Sequence, residues 1–358
     1  MRRDPAILFA LAAGVAALAL PAGWTAVPLA LWLAALAGVA SLLRPSPQPS
    51  PARREGAIAV GAAVSGAIAL DFLLAPDAPL GFWLGVLALA AIVWRALERL
   101  AVRRGRAFDI AVPLLFGAWL ISLWQIVVVG CAIPPALLPP PTQIAAVLWA
   151  ALPLLGGDFV QTFIRSMIPG YVIGCGAGFL TAVLVDRVPF LQRGLLPIGN
   201  LASALPIVGI APIMVMWFGF DWPSKAAVVA VMTFFPMLIN TIAGLAALGR
   251  IERDLMRTYA ARYGATLWLA RLPAALPFLF NALKVNSTLA LIGAIVAEFF
   301  GTPTQGLGFR ISTSVGALDI PLVWATIVVA SVTGSAAYGA LALAERRVTF
   351  WHPSFRKT

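Results

Sequence analysis

The chain has 358 residues, of which 61% are hydrophobic and 11% charged, with a formal net charge of +11 and a mean hydropathy of +0.95. A soluble domain carries about 25% charged residues, so the composition excludes a water-soluble globular domain and suits a chain solvated by lipid. The basic balance does not indicate nucleic acid, since no soluble basic domain is there to bind it; cationic loops of membrane proteins follow the positive-inside bias.

Met1-Arg2-Arg3 followed by Pro5 to Leu20 resembles a signal peptide, with Ala17-Leu18-Ala19 as a cleavage-site mimic. Further apolar runs follow at once, so the segment reads as a retained first span. Apolar runs fall near 5–21, 24–43, 56–75 and 79–97. The Pro-, Ser- and Arg-rich stretch Arg44 to Glu55 between the second and third is a loop. The basic segment Arg95 to Arg106 divides this front part from runs near 109–130, 162–185, 202–219, 225–248, 277–300 and 321–344. A spanning helix needs about 20 apolar residues, and the pattern predicts ten spans. Pro206 and Pro212 make the 202–219 run the weakest. After the fifth span the Pro-rich stretch 131–143 is a stiff lead-in to a short interfacial helix at Ile144 to Leu155.

If every run spans, Arg2, Arg3, Arg44, Arg53, Arg54, the 95–106 cluster, Arg187, Arg193, the arginines of 250–271 and the Arg346 to Lys357 tail share one side. That bias places both termini in the cytoplasm.

Enzyme signatures are absent. The only lysines are Lys225, Lys284 and Lys357, and none follows a glycine, so there is no phosphate-binding G-x-x-x-x-G-K-[ST] loop. Two cysteines, Cys131 and Cys175, and one histidine, His352, assemble neither a metal site nor a catalytic set. No catalytic residue, metal or cofactor is expected. Carboxylates inside the predicted spans are Asp71 and Glu298. Lys284 lies 14 residues before Glu298, about 21 Å along a helix, too far to pair; it snorkels to the near interface. A structural bond from Glu298 to loop 301–309 is the plain reading of that residue. Asn240, Asn286, Ser287 and Glu298 are the candidates for a polar path, and interhelical hydrogen bonding accounts for the amides and hydroxyls equally well. Gly170, Gly174, Gly176 and Gly178 crowd one span at small-residue spacing.

Between two apolar runs lies Arg250 to Pro273, the longest basic helical pattern in the chain. Leu255, Tyr259 and Tyr263 recur every four positions, with Met256 and Ala260 in an adjacent row on the same face. Asp254 suits the first turn, and Leu272-Pro273 ends the helix. The reading is one cytoplasmic helix presenting an aromatic and small-residue face to a soluble partner. A helix lying on the lipid surface, held by Arg250, Arg253, Arg257, Arg262 and Arg271, fits the same pattern.

This stretch resembles the "EAA" coupling loop of permease subunits of ATP-binding-cassette importers. Counting back from Pro273 puts Ala260 where the family has glycine and Asp254-Leu255-Met256 where it has E-A-A; a second register through Gly264 ends at Leu276-Pro277. The text PIVGIAPIMVMWFGF (206–220), FFPMLINTIAGL (234–245), LPAALPFLFNALKV (272–285) and ALIGAIVAEFFGTPTQGLGF (290–309) is similar to the nitrate/sulfonate/taurine-type branch. The tail ERRVTFWHPSFR (345–356) looks like permeases for thiamine-pyrimidine precursors.

The resemblance implies an all-α polytopic membrane protein: a six-helix type I importer permease at 106–358, preceded by a four-span extension at 1–105. It implies ATPase coupling through Asp254, Leu255, Met256, Tyr259, Ala260, Ala261, Leu272 and Pro273. It implies three partners in a bacterial inner membrane: an ATPase subunit, a second permease copy forming a homodimer, and an extracytoplasmic solute-binding protein. Hydroxymethylpyrimidine, nitrate, a sulfonate or taurine are the solutes in view. An ATPase-independent secondary transporter, with ion-coupling carboxylates near the midplane, and a membrane scaffold are the other classes.

Overall fold

The computed structural model describes residues 5–19, 26–41, 77–102, 105–188, 207–301 and 305–351, with isolated positions between 62 and 74 and between 190 and 197. Asp71, the Arg44 to Glu55 loop, most of the 56–75 run, Arg193, Pro206 and the tail from His352 to Lys357 lie outside the described residues. All regular elements among the described residues are helices. The chain divides into two compact units, Met1–Ile144 and Ala145–Thr358.

The first unit holds α1 (Pro5–Ala19), α2 (Ala26–Ser41), α3 (Leu80–Ala101) and α4 (Arg106–Gly130). Its core gathers Trp32, Leu36, Phe82, Leu89 and Ile126. The Trp32 indole is fully buried and donates to the Gly14 carbonyl at 3.1 Å, which satisfies the one polar atom of that side chain. Helix α5 (Pro141–Ala150) straddles the division between the units.

The second unit contains α6 (Leu152–Asp186), α7 (Ile207–Phe218), α8 (Trp222–Ala246), α9 (Arg250–Thr258), α10 (Tyr263–Glu298), α11 (Leu307–Gly316) and α12 (Ile320–Val348). Helix α8 is its centre, packed on α6 and α10. Its start follows local chemistry: Asp221 caps the helix, accepting from Trp222 N at 3.2 Å, and Pro223 occupies the first turn. Against it α6 lays Gly170, Gly174 and Gly178, four residues apart. A Cβ at Gly174 would lie 2.8 Å from Ala230 Cα, and one at Gly178 2.5 Å from the Phe234 carbonyl. The two backbones therefore touch, and no side chain fits between them. Gly176 faces away and meets nothing within 4 Å.

Six helices among the described residues are long and apolar enough to span: α3, most of α4 (Phe108–Gly130), α6, α8, α10 and α12. Helices α1 and α2, with 15 and 16 residues, cover the first two predicted runs, and α7 is a 12-residue piece of the 202–219 run. At about 1.5 Å per residue these three fall short of a hydrocarbon core of about 30 Å. The expected ten spans are thus not reached among the described residues. The predicted interfacial helix is α5, ending at Ala150; Leu152 to Leu155 belong instead to the start of α6.

Helices α6 and α10 have 35 and 36 residues, about 52–54 Å at helical rise. Each has a π-helical stretch just before a proline, Val160–Met167 before Pro169 and Leu267–Arg271 before Pro273. Ile168 N–H reaches back five residues to the Phe163 carbonyl, and Leu272 N–H to the Leu267 carbonyl. The wider turn makes room for the proline ring and re-pairs carbonyls that the missing N–H would leave open. Pro273 therefore does not end a helix, as its sequence context predicts; it sits inside α10.

Candidate functional site

The predicted single helix over 250–273 is two helices joined by a tight turn. Helix α9 stops at Thr258. Ala260 N–H donates to the Arg257 carbonyl at 2.9 Å and Ala261 N–H to the Met256 carbonyl at 2.9 Å. Ala260 takes a left-handed conformation, φ +48°. This is the paired 5→2 and 6→1 bonding of a Schellman cap, with alanine at the position glycine favours. Arg262 is extended and starts α10 at Tyr263. The break overturns the continuous stripe: Leu255 and Tyr259 lie on α9 and its end, whereas Tyr263 belongs to the next helix and points elsewhere.

No residue of α9 is buried. Ile251, Leu255 and Tyr259 are 83%, 49% and 75% exposed, so the helix presents apolar and aromatic surface that the described residues leave uncovered. Asp254 is also exposed, 3.7 Å from Arg257 in an ion pair open to solvent. Met256 and Ala261 are half-buried, and Ala260 is exposed. Leu272 and Pro273 are half-buried on α10, with Leu272 packed among Leu245, Leu267 and Leu279. Six of the eight predicted coupling residues thus lie together on α9 and its turn, and two belong to the stem of α10.

That stem is fastened by charge. Arg271 donates to both oxygens of Asp186 at 2.6 and 2.7 Å, and through Nε to the Leu245 carbonyl at 3.0 Å. Tyr263 OH donates to Asp186 Oδ2 at 2.8 Å, and the Arg187 guanidinium covers the Tyr263 ring at 4.7 Å. Arg253 donates to the Leu248 carbonyl at 3.2 Å. The end of α6, the end of α8 and both sides of the turn are tied together. Of the five arginines that a lipid-surface reading needs, Arg253 and Arg271 bond to neighbouring segments of the protein, and Arg257 faces Asp254 of its own helix.

The opposite end of α10 carries a second polar cluster. Glu298, 2% exposed, accepts from Thr162 Oγ1 at 2.8 and 2.9 Å and from Gly308 N–H at 2.8 Å. Thr162 Oγ1 in turn accepts from Leu307 N–H at 2.8 Å. Asp158, 1% exposed, accepts from Gly306 N–H at 2.8 Å and from Arg310 at 2.8 and 3.3 Å. Fully buried Lys225 donates to the carbonyls of Phe220, Asp221 and Gly301. Gly306 has φ +139°, and a Cβ there would lie 2.6 Å from the Glu298 carboxyl. The two carboxyl groups and the two basic side chains of this cluster are each hydrogen-bonded, as burial of ionisable groups requires.

The four path candidates do not converge. Asn240 donates to the Pro236 carbonyl of its own helix at 2.8 Å. Asn286 is buried between α6, α8 and α10, donating to the Thr233 carbonyl at 2.9 Å and to Cys175 Sγ at 3.3 Å. Ser287 donates to the Lys284 carbonyl at 2.7 Å. Glu298 sits in the end cluster, about 18 Å along α10 from Asn286. Lys284 does not snorkel freely; it pairs with Glu345 of α12 at 2.6 Å. Both cysteines are free, Cys131 exposed and Cys175 buried.

Asp158, Thr162, Asp186 and Arg310 escape a reading of the sequence. Starting the span at 162 instead of 152 leaves Asp158 in a loop, where a carboxylate draws no notice. Counted from Leu152, it becomes an intramembrane acid, which is a signal. Asp186 lies one residue beyond the predicted span end, and nothing local points to Arg271, 85 residues away.

Long apolar helices fastened near their ends by ion pairs, with one short exposed helix between two of them, define a polytopic membrane component. A family model described as the inner membrane component of binding-protein-dependent transport systems matches residues 170–350; the chain belongs to that family. It is 29% identical to the riboflavin transport system permease protein of Chloroflexus aurantiacus, over 66% of this chain and 88% of that one. It is 29% identical to the formylaminopyrimidine transport permease of Halalkalibacterium halodurans, over 69% and 98% of the two chains. Against the putative aliphatic sulfonates transport permease of Bacillus subtilis the figures are 27%, 68% and 88%. These relatives are transport permeases, and the chain is a membrane transport component and not an enzyme.

Proposed function

We propose that the chain forms the solute path of an ATP-binding-cassette importer and takes its drive from a separate ATPase subunit docked on α9. The observation that carries this reading is the exposed apolar surface of Ile251, Leu255 and Tyr259, held rigid by the Schellman turn and the Asp186–Arg271–Tyr263 fastening. In this reading Asp254, Leu255, Met256, Tyr259, Ala260 and Ala261 meet the ATPase, and Leu272 with Pro273 carries its motion into α10. The left-handed backbone at Ala260 supports the register that places this residue at the family's glycine.

The functional unit is residues 106–358, with 1–105 an added extension. Helix α4 packs in the first unit and by resemblance is the first permease span. A second copy of the chain completes the path, an extracytoplasmic binding protein delivers solute, and the loop-charge bias puts both termini in the cytoplasm. The solute is a small polar molecule. Pyrimidines are favoured over sulfonates and nitrate, because two of the relatives named above carry nitrogen heterocycles in their names and the 345–356 tail resembles pyrimidine-precursor permeases.

The test is uptake by proteoliposomes holding the chain, its ATPase and its binding protein. ATP-dependent accumulation of labelled hydroxymethylpyrimidine, not displaced by taurine, is expected. Accumulation without the ATPase would make the chain a secondary transporter, and no accumulation of any solute would make it a scaffold.

A further inference from the structure

Helix α11 begins with three backbone N–H groups, of Gly306, Leu307 and Gly308, that no helical carbonyl can serve. Each is taken by a side chain from another helix: Asp158 Oδ1 and Thr162 Oγ1 of α6, and Glu298 Oε2 of α10, all at 2.8 Å. Two of the three acceptors are carboxylates set at the positive end of the helix dipole. Arg310, one turn into α11, adds an ion pair to Asp158 at 2.8 Å. The connection from α10 is also held at its start, where Lys225 takes the Gly301 carbonyl. The remainder of α11 is largely exposed, with Ser314 its one buried residue beyond Gly308. So α11 is tied to α6 and α10 through its first turn, and beyond that turn it packs on α12 and leaves its other side exposed. Thr162 is the joint: its hydroxyl accepts from Leu307 N–H and donates to Glu298, so one oxygen ties α6, α10 and α11 together.

We propose that Thr162 is a positioning residue, the pin of a latch that closes α11 onto the ends of α6 and α10. Release of this latch opens the membrane face opposite α9. Helix α10 runs unbroken from the Asp186–Arg271 fastening at α9 to Glu298 in the latch, so a shift of α10 at either end is felt at the other. The second half of this proposal, the link to α9, rests on the importer reading above; the latch itself does not.

The experiment uses the full chain, assembled with its ATPase in nanodiscs so that both faces are open to reagent. Exposed Cys131 is replaced by serine, buried Cys175 is kept as an internal control, and Ser314→Cys is the reporter, read by maleimide labelling. Thr162→Val keeps the shape and removes the hydroxyl, leaving Leu307 N–H unpartnered; Thr162→Ser keeps the hydroxyl. Valine removes both bonds of the hydroxyl, the one from Leu307 N–H and the one to Glu298, and the loss of two buried hydrogen bonds corresponds to a shift of about tenfold or more in a closed-to-open equilibrium. The reporter is expected to label about tenfold faster in Thr162→Val than in the parent or Thr162→Ser, with Cys175 unchanged in all three, and ATPase activity without binding protein is expected to rise in the valine variant alone. Equal labelling of valine, serine and parent chains overturns the latch, as does Cys175 accelerating in step with the reporter, which is general loosening. A labelling difference with no change in ATPase rate overturns the link to α9. A parent chain that neither binds nor stimulates an ATPase counts against the importer reading, while the labelling still decides the latch.

Discussion

Ala260 gives the most direct access to the turn on which the proposed docking depends. An L-residue in the left-handed region costs roughly 1–2 kcal/mol more than in the right-handed one, because its Cβ crowds the carbonyl oxygen, and glycine escapes most of this. With φ at +48°, Ala260→Gly should stabilise the cap by about 1 kcal/mol, or roughly fivefold in the closed-to-open ratio of the turn. Ala260→Val should act in the opposite sense and more strongly, since branching at Cβ adds a second clash. The amides that report on this are those of Ala260 and Ala261, which bond the Arg257 and Met256 carbonyls only when the turn is closed. Hydrogen exchange followed by mass spectrometry on peptides across 255–263 should show slower exchange in the glycine variant and faster exchange in the valine variant, with α8 and the body of α10 unchanged. ATP-driven uptake should follow the same order. Equal exchange in alanine, glycine and valine chains would refute the cap as the element that shapes this turn.

Tyr259→Glu should abolish co-purification with the ATPase and ATP-driven uptake while leaving thermal inactivation of the purified chain unchanged, because the ring is 75% exposed. Asp186→Ala should destabilise the second unit by about 2 kcal/mol, below the 3–5 kcal/mol of a fully buried pair because Arg271 stays 21% exposed; Asp186→Asn, which still accepts one bond, should lose less, and denaturant titration would measure both. Gly178→Leu should prevent α6 from closing on α8 and lower the yield of monodisperse protein, whereas Gly176→Leu, with no neighbour within 4 Å, should be neutral in the same size-exclusion assay.

Much of the architecture was readable from apolar run length. The 225–248 run is α8 to within three residues, and the 321–344 run is α12 with its ends extended. The glycine spacing in 170–178 identified the face that closes on a neighbour, although only packing shows that Gly176 is not part of it. Boundaries were harder where polar residues continue a helix. Leu152 to Gln161 and Tyr263 to Leu276 extend α6 and α10 beyond the apolar windows, since their acids and arginines find partners inside the protein and need not leave hydrocarbon. Pro273 is a stop signal only under α geometry, and the π turn at Leu267–Arg271 removes the clash on which that rule rests.

The sequence by itself determined that this chain is a helical membrane protein without a phosphate-binding loop, and that a basic segment interrupts its apolar runs at 250–273. Those conclusions need only solvation energies and helical period, which are properties of residues and near neighbours. Only the tertiary structure decided that the segment breaks at Ala260, that Asp186 fastens Arg271, and that Asp158, Thr162 and Glu298 converge on the first turn of α11. Asp158 and Arg310 lie 152 residues apart in the chain. A buried charge is tolerable only with its partner in place, and which partner is in place is fixed by how helices pack, not by what precedes or follows the residue.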